Sequence, residues 1–195
     1  MNEIKLILVD VNPHMCAAWK VAFADHKNVE VVNDYFQNIP EYDCMVSAAN
    51  SYGRMDGGID RHITDYFGQQ LMDRVQAYII EHYFGEQPIG SSFIIPTLHH
   101  KHPFLAHTPT MRVPEPIAYT DNVYHGMRAT LLAVHHHNKS STQKINRIAC
   151  PGLGALTGQV PFEKVAGQME RAYASVLEPF TDLSWENIMR FRRSI

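Results

Sequence analysis

Apolar positions along this chain recur with two periods. Short apolar runs bounded by turn residues fall at Lys5–Val9, Val29–Val32, 44–47, 92–96, 104–107 and 145–149. Each predicts a strand. Between them the apolar residues step at helical spacing. Met15, Trp19, Ala22 and Phe23 predict a helix running to about Lys27. It opens with Asn12 as a cap and Pro13 in the first turn, where its fixed φ and missing N–H cost nothing. Ile63, Phe67, Leu71 and Val75 step by four through 59–84, predicting one or two helices before the break at 85–90. Thr120-Asp121 starts a helix carrying Val123, Met127, Thr130, Leu131 and Val134. Pro161 opens another with Phe162, Val165, Met169, Ala172 and Val176. After Pro179 only a weak helical pattern remains, in Trp185, Ile188 and Phe191.

Strands alternating with helices predict an α/β fold: a mostly parallel mixed sheet between two helical layers, a three-layer α/β/α sandwich. The 195 residues form one expected domain with a full core. No internal repeat or low-complexity linker divides it.

Composition narrows the function classes. The net charge of −3, spread along the chain, argues against an electrostatic grip on nucleic acid. Arg190, Arg192 and Arg193 read as a solvated tail. Cys16, Cys44 and Cys150 are far apart and embedded in apolar segments, so buried thiols in a reducing compartment are expected. The N-terminal apolar run is too short for a signal peptide, and no run approaches the roughly 20 apolar residues of a membrane span. A cytoplasmic protein is the expectation.

Two loops stand out. Ser47-Ala48-Ala49-Asn50 ends a predicted strand and leads to Gly57-Gly58-Ile59-Asp60, where a helix begins. Pro151-Gly152-Leu153-Gly154-Ala155-Leu156-Thr157-Gly158 follows the strand at 145–149. Small residues admit a ligand close to the backbone, and glycines before a helix leave N–H groups free for an anion. Both loops fall at the carboxyl ends of strands, where open parallel sheets bind ligands. Two such loops in one domain point to two linked phosphates. Neither is a Walker loop, because no Gly-Lys-Ser/Thr follows. The second is not a dinucleotide fingerprint, because its glycines are spaced Gly-x-Gly-x-x-x-Gly.

Ala48-Ala49-Asn50 with Gly57-Gly58-Ile59-Asp60, and the later Gly-Leu-Gly-Ala-Leu-Thr-Gly, resemble the two ligand loops of macrodomains. The resemblance spans about Val29 to Tyr173. Residues 1–28 look like a strand and helix added ahead of the usual start, and 180–195 like a tail. The final strand that many macrodomains carry is not evident. Two positions depart from the family pattern: Ser47 stands where an Asn is usual, and Asp56 where a glycine is. These bear on catalysis more than on binding.

The resemblance implies a site for ADP-ribose or an ADP-ribosylated substrate, with no cofactor and no metal. Asn50 would orient a ribose and Asp60 would position water; these two are the catalytic candidates. Ser47, Ala48, Gly57, Gly58 and Ile59 would line the first loop. Gly152, Leu153, Gly154, Ala155, Leu156, Thr157 and Gly158 would wrap the diphosphate through backbone amides, with Thr157 adding a hydroxyl. Asp34 would accept from the adenine amino group. Each has a plainer reading. Asn50 can fold its own turn, Asp34 and Asp56 can be turn residues, and Asp60 can complement a helix dipole. A carboxylate held by helix N–H groups should also have a low pKa and modest basicity.

Other candidates carry less. His99, His100 and His102 form one cluster and His135-His136-His137 another; the triple run lacks the i, i+4 spacing of metal ligands on a helix, and no metal is expected at either. His107 reads as structural support beneath the site, and His62 as a surface residue. The stretch 108–114 reads as a tight loop, with Arg112 facing a phosphate or pairing with Glu115. Tyr173 or Phe180 could stack on adenine. On these grounds the chain is expected to bind ADP-ribose and to hydrolyse an ADP-ribosyl or O-acetyl-ADP-ribose linkage. The alternatives are a non-catalytic reader and an ADP-ribose 1″-phosphate phosphatase. Nucleic acid is expected only as an ADP-ribosylated substrate, and the oligomeric state is left open.

Overall fold

The computed structural model describes residues 4–192, with side chains described as far as Met189. Met1 to Glu3 and the side chains of Arg190, Phe191, Arg192 and Arg193 lie outside that description. Six strands form one sheet: β1 (Lys5–Val9), β2 (Val29–Val32), β3 (Cys44–Asn50), β4 (Phe93–Pro96), β5 (Phe104–Met111) and β6 (Arg147–Cys150). Their order is β2-β1-β6-β3-β5-β4. All neighbours are parallel except β4 and β5, which pair as an antiparallel hairpin.

Among the described residues six α-helices complete the fold: α1 (Pro13–Ala22), α2 (Gly58–Phe67), α3 (Gln69–Tyr83), α4 (Asn122–Ser140), α5 (Phe162–Leu177) and α6 (Trp185–Arg192). Asn12 caps α1 by accepting from the His14 N–H at 2.9 Å, ahead of Pro13. The apolar run at 59–84 is two helices, because Gly68 at φ +93° closes one and starts the next. A 3₁₀ turn at Phe36–Asn38 follows β2.

The sheet separates two cores, and the strand period of two explains which residue goes where. Leu6, Leu8, Cys44, Val46, Ala106, Ile148 and Cys150 face α1, α4 and α5. Ile7, Val9, Met45, Leu105 and Ala149 face α2, α3 and the 3₁₀ turn. Trp19 is completely buried in the first core.

Three strand expectations change. β3 runs on through Ala48, Ala49 and Asn50 instead of stopping at Ser47. β5 continues to Met111, so Thr108 to Met111 are ladder residues, not loop. All eight of its residues are buried, and buried parallel strands need not alternate apolar and polar. The last strand begins at Arg147, two residues late, and ends at Cys150. β1, which belongs to the segment expected as an N-terminal addition, pairs inside the sheet between β2 and β6.

Candidate functional site

β3 and β6 are adjacent parallel strands, so their carboxyl ends bring the two glycine loops side by side. Between the loops opens a cavity of about 720 Å³. That is within the usual range for small-molecule sites, about 300–1,000 Å³. The ends of β1 and β2 complete the wall with Asp10, Val11, Asp34, Tyr35 and Phe36.

The first loop begins where the β3–β5 register shifts, between Ala49 and Asn50. Asn50 then folds its own loop. Its Oδ1 accepts from the Tyr52 N–H at 3.1 Å and the Arg54 N–H at 3.3 Å, and its Nδ2 donates to Arg54 O at 2.8 Å. An amide nitrogen has two hydrogens, so one remains for a ligand in the cavity that Asn50 lines. Gly53 sits at φ +63°, where a Cβ would come within 2.8 Å of Val75. Gly57 caps α2 with no side-chain hydrogen bond. The first N–H groups of α2 thus lack a side-chain cap beside the cavity, an arrangement that suits an anion.

Asp60 lies on the first turn of α2, lines the cavity and is only 4% exposed. Ser47 Oγ donates to its Oδ1 at 2.6 Å. The low pKa expected for this carboxyl is corrected. Burial disfavours the charged form more than the Ser47 bond favours it, and the pKa rises to about 7. Asp60 therefore exchanges its proton near neutral pH.

In the second loop, Gly154 sits at φ +71° and Gly158 packs on it so closely that a Cβ on Gly158 would be 2.5 Å from Gly154 O. The Ile117 N–H donates to Gly158 O at 2.8 Å and the Val160 N–H to Gly154 O at 3.2 Å. These bonds fold the loop into a tight arch. Thr157 and Leu156 are exposed on its crest, and both line the cavity.

Most of the residues singled out in sequence reach this wall: Asp34, Ala48, Asn50, Gly57, Gly58, Ile59, Asp60, Gly152, Gly154, Ala155, Leu156, Thr157 and Gly158. Two do not. Ser47 is fully buried beneath Asp60, and Leu153 is a core side chain. Asp34 is partly engaged, its Oδ1 accepting from the Tyr35 N–H at 2.7 Å and from Asn38 Nδ2 at 2.8 Å.

Other expectations are corrected. Arg112 pairs with Glu86 through two bonds of 2.6 and 2.9 Å, not with Glu115. It is not on the cavity wall. Asp56 is ion-paired with Arg54 at the rim. Tyr173 is buried against Phe23 and His26, and neither it nor Phe180 reaches the cavity; its aromatics are Tyr35, Phe36 and Tyr52. Asp10 was missed, although the rule that sites form at carboxyl ends of parallel strands could have found it after β1. Tyr35 and Phe36 gave no such signal, because a 3₁₀ turn has no hydrophobic period.

His62 is exposed on the wall beside Asp60. His107 is completely buried, and burial lowers its pKa to about 3. His102 stacks on Tyr42 with centroids 3.7 Å apart, and its Nδ1 meets Tyr42 O at 2.9 Å. His137 Nε2 meets Gln143 O at 2.9 Å. Among the described residues no group of three or more His, Cys, Asp or Glu side chains is placed to hold a metal ion. Nor does any described helix have the length and apolarity to cross a membrane.

The family model for the macro domain matches residues 46–169, more than half of the chain. No match was found among curated protein sequences. Solved structures are similar in fold. The macrodomain of Mycobacterium tuberculosis DarG superposes with a TM-score of 0.60 at 18% identity, covering 73% of this chain and 88% of that one. A Gly-to-Val mutant of the Oceanobacillus iheyensis macrodomain with ADPR gives a TM-score of 0.62 at 17% identity, covering 99% and 92%. The same macrodomain with ADP gives 0.60 at 18% identity, covering 80% and 85%. The matched segment contains both glycine loops, and the chain belongs to the macrodomain family.

Proposed function

We propose that the protein binds ADP-ribose or an ADP-ribose derivative in the cavity between the two loops. The observation that carries this reading is the meeting of two backbone-lined glycine loops at the ends of β3 and β6, over one cavity. Backbone N–H groups and a helix N-terminus suit a diphosphate without lysine or metal. Similar structures are described with ADPR and with ADP. The aromatic end, at Tyr35 and Phe36 near Asp34, offers a stacking face and an acceptor for a base with an exocyclic amine.

The finer reading is hydrolysis of an ADP-ribosyl linkage. A buried carboxyl whose pKa lies near neutrality is matched to proton transfer, and Asp60 meets that requirement. It would accept a proton from water at the far ribose, which Asn50 orients through its remaining N–H. The three free, buried cysteines support a reducing compartment.

Calorimetric titration with ADP-ribose, with AMP and NAD as controls, tests the binding. Micromolar affinity, about −8 kcal/mol, selective for ADP-ribose is expected. A Cβ on Gly57 would meet no protein atom within 4 Å, so Gly57→Val should fold normally and weaken binding at least about tenfold by occupying ligand space. Absence of heat with the wild-type protein would end the reading. For hydrolysis, Asp60→Ala should lower turnover on an ADP-ribosylated substrate while ADP-ribose affinity is largely kept. An Asp60→Ala protein as active as wild type would remove Asp60 from the mechanism.

A further inference from the structure

Below Asp60 the cavity wall continues into buried polar groups that binding and hydrolysis, as proposed, do not use. Ser47 and His107 are completely buried and are partners across the β3–β5 ladder. Adjacent strands lie about 4.8 Å apart. Ladder partners share a face, and Met45 and Leu105, two residues earlier, face α2 and α3. Ser47 and His107 therefore point the same way, toward the helix that carries Asp60.

The tautomer of His107 follows from its neighbours. Gln87 Nε2 donates to Ser91 Oγ at 3.1 Å and to His107 O at 3.3 Å. That orientation leaves Oε1 as the atom 2.6 Å from His107 Nδ1, so Nδ1 carries the hydrogen and Nε2 is a bare lone pair. Nε2 is buried without a hydrogen-bond partner among the described residues. Buried polar atoms are rarely left so, and its ladder partner Ser47 carries a hydroxyl on the same sheet face.

We propose that Ser47 is a two-position hydroxyl that sets the proton occupancy of Asp60. It donates to the ionised carboxylate in one position and to the empty His107 Nε2 in the other, while accepting from protonated Asp60. The proton exchanged on Asp60 comes from solvent through the cavity. Ser47 and His107 keep their own hydrogens; the bond between Ser47 and Asp60 reverses direction, and a bond from Ser47 to His107 Nε2 forms. Burial keeps the His107 ring neutral, with a pKa near 3, so it accepts without taking a charge. The other charged or titratable groups on this wall are Asp10 beyond β1, Asp34 and Tyr35 beyond β2, Tyr52, Arg54 and Asp56 in the loop after β3, and Arg61 and His62 on α2. The consequence for the site rests on the ADP-ribose reading: a neutral Asp60 places no buried negative charge beside a diphosphate, and an ionised one can take a proton from water.

Carboxyl ¹³C and histidine ¹⁵N resonances of the ligand-free protein, followed from about pH 4 to pH 9, test the switch. In the wild type, the His107 Nε2 signal should move at the Asp60 midpoint while the ring stays neutral. Ser47→Ala should raise that midpoint by about one unit, because the donor lost to the full charge of the ionised form is worth more than the acceptor lost to the neutral acid. His107→Phe should lower it by a similar amount, because the protonated arrangement loses its acceptor. Shifts of opposite sign are not what a packing role would produce. A Nε2 signal that stays still through the Asp60 titration, or two replacements that shift the midpoint the same way, would overturn the proposal. If His107→Phe does not fold, the wild-type histidine signal decides alone. No ADP-ribose is present, so the result is independent of whether that ligand is bound.

Discussion

Asp60 shows how two effects on one residue compete. Its place in the first turn of a helix favours a carboxylate, and Ser47 donates to it. Burial opposes both and wins, which raises the pKa from 3.8 to about 7. In the unfolded chain the group ionises at the lower value, so between about pH 4 and pH 7 the folded state binds the extra proton. Its contribution to stability therefore falls as pH rises through that window and stays low above it. Asp60→Asn keeps an acceptor for Ser47 and removes the buried charge. The substituted protein should melt at a higher temperature than wild type at pH 8, and the difference should vanish near pH 4. Thermal unfolding across that pH range checks it; equal melting temperatures at pH 8 would show that Asp60 is not ionised at a cost in the folded state. Asn50, by contrast, spends three hydrogen bonds on its own loop through Oδ1 and one Nδ2 hydrogen, which leaves the second Nδ2 hydrogen toward the cavity.

At the scale of elements, the two glycine loops are built differently. The first is open at Gly57, where the backbone is extended and a Cβ would meet nothing within 4 Å. The second is closed, since a Cβ on Gly158 would be 2.5 Å from Gly154 O and 2.7 Å from Ile117. A backbone oxygen cannot step aside as a side-chain end can. Gly158→Ala should therefore cost about 1–3 kcal/mol of stability and distort the arch, whereas Gly57→Ala should change stability by less than about 0.5 kcal/mol. Urea denaturation of the two variants makes the comparison. Similar midpoints would mean that the arch yields easily. The halves of the long apolar run at 59–84 differ for a similar reason: the positive φ of Gly68 ends one helix, and nothing in the apolar spacing marks it.

Across the whole molecule, buried titratable groups lie on both sides of neutrality. His107 is held neutral, its pKa lowered from 6.5 to about 3. The unfolded chain takes up that proton first on acidification, so this contribution to stability is present above about pH 6.5 and is lost as pH falls toward 3. Burial lowers His99 and His102 in the same direction. Asp60 runs the opposite way over much of the same range, so the two partly cancel. Removing Asp60 as a titrating group should uncover the histidine contribution: Asp60→Asn should lose stability more steeply than wild type between about pH 6.5 and pH 4. Parallel acid-denaturation profiles would refute the pairing of these two groups. The sheet also ties distant segments together. Residues 4–28 supply an inner strand and the fully buried Trp19, and replacing Trp19 by Ala should cost about 3–5 kcal/mol, read as a shift in the denaturation midpoint.

The sequence by itself determined the alternation of strands and helices, the two glycine loops, and their attachment to strand ends. Those are local properties: apolar period, cap residues and backbone freedom are all written in neighbouring positions. It also pointed to most of the cavity wall, because loops at the ends of parallel strands are the wall. What only the tertiary structure decided depends on residues far apart in the chain. That β1 lies inside the sheet follows from strand order, and that Tyr35 and Phe36 rather than Tyr173 or Phe180 face the cavity, and that Arg112 belongs to Glu86, follow from how distant segments pack. The protonation of Asp60 is the sharpest case. Its sequence position predicts a strong acid; the depth to which α2 packs on β3 makes it a weak one, because desolvation is a property of the surroundings and not of the residue.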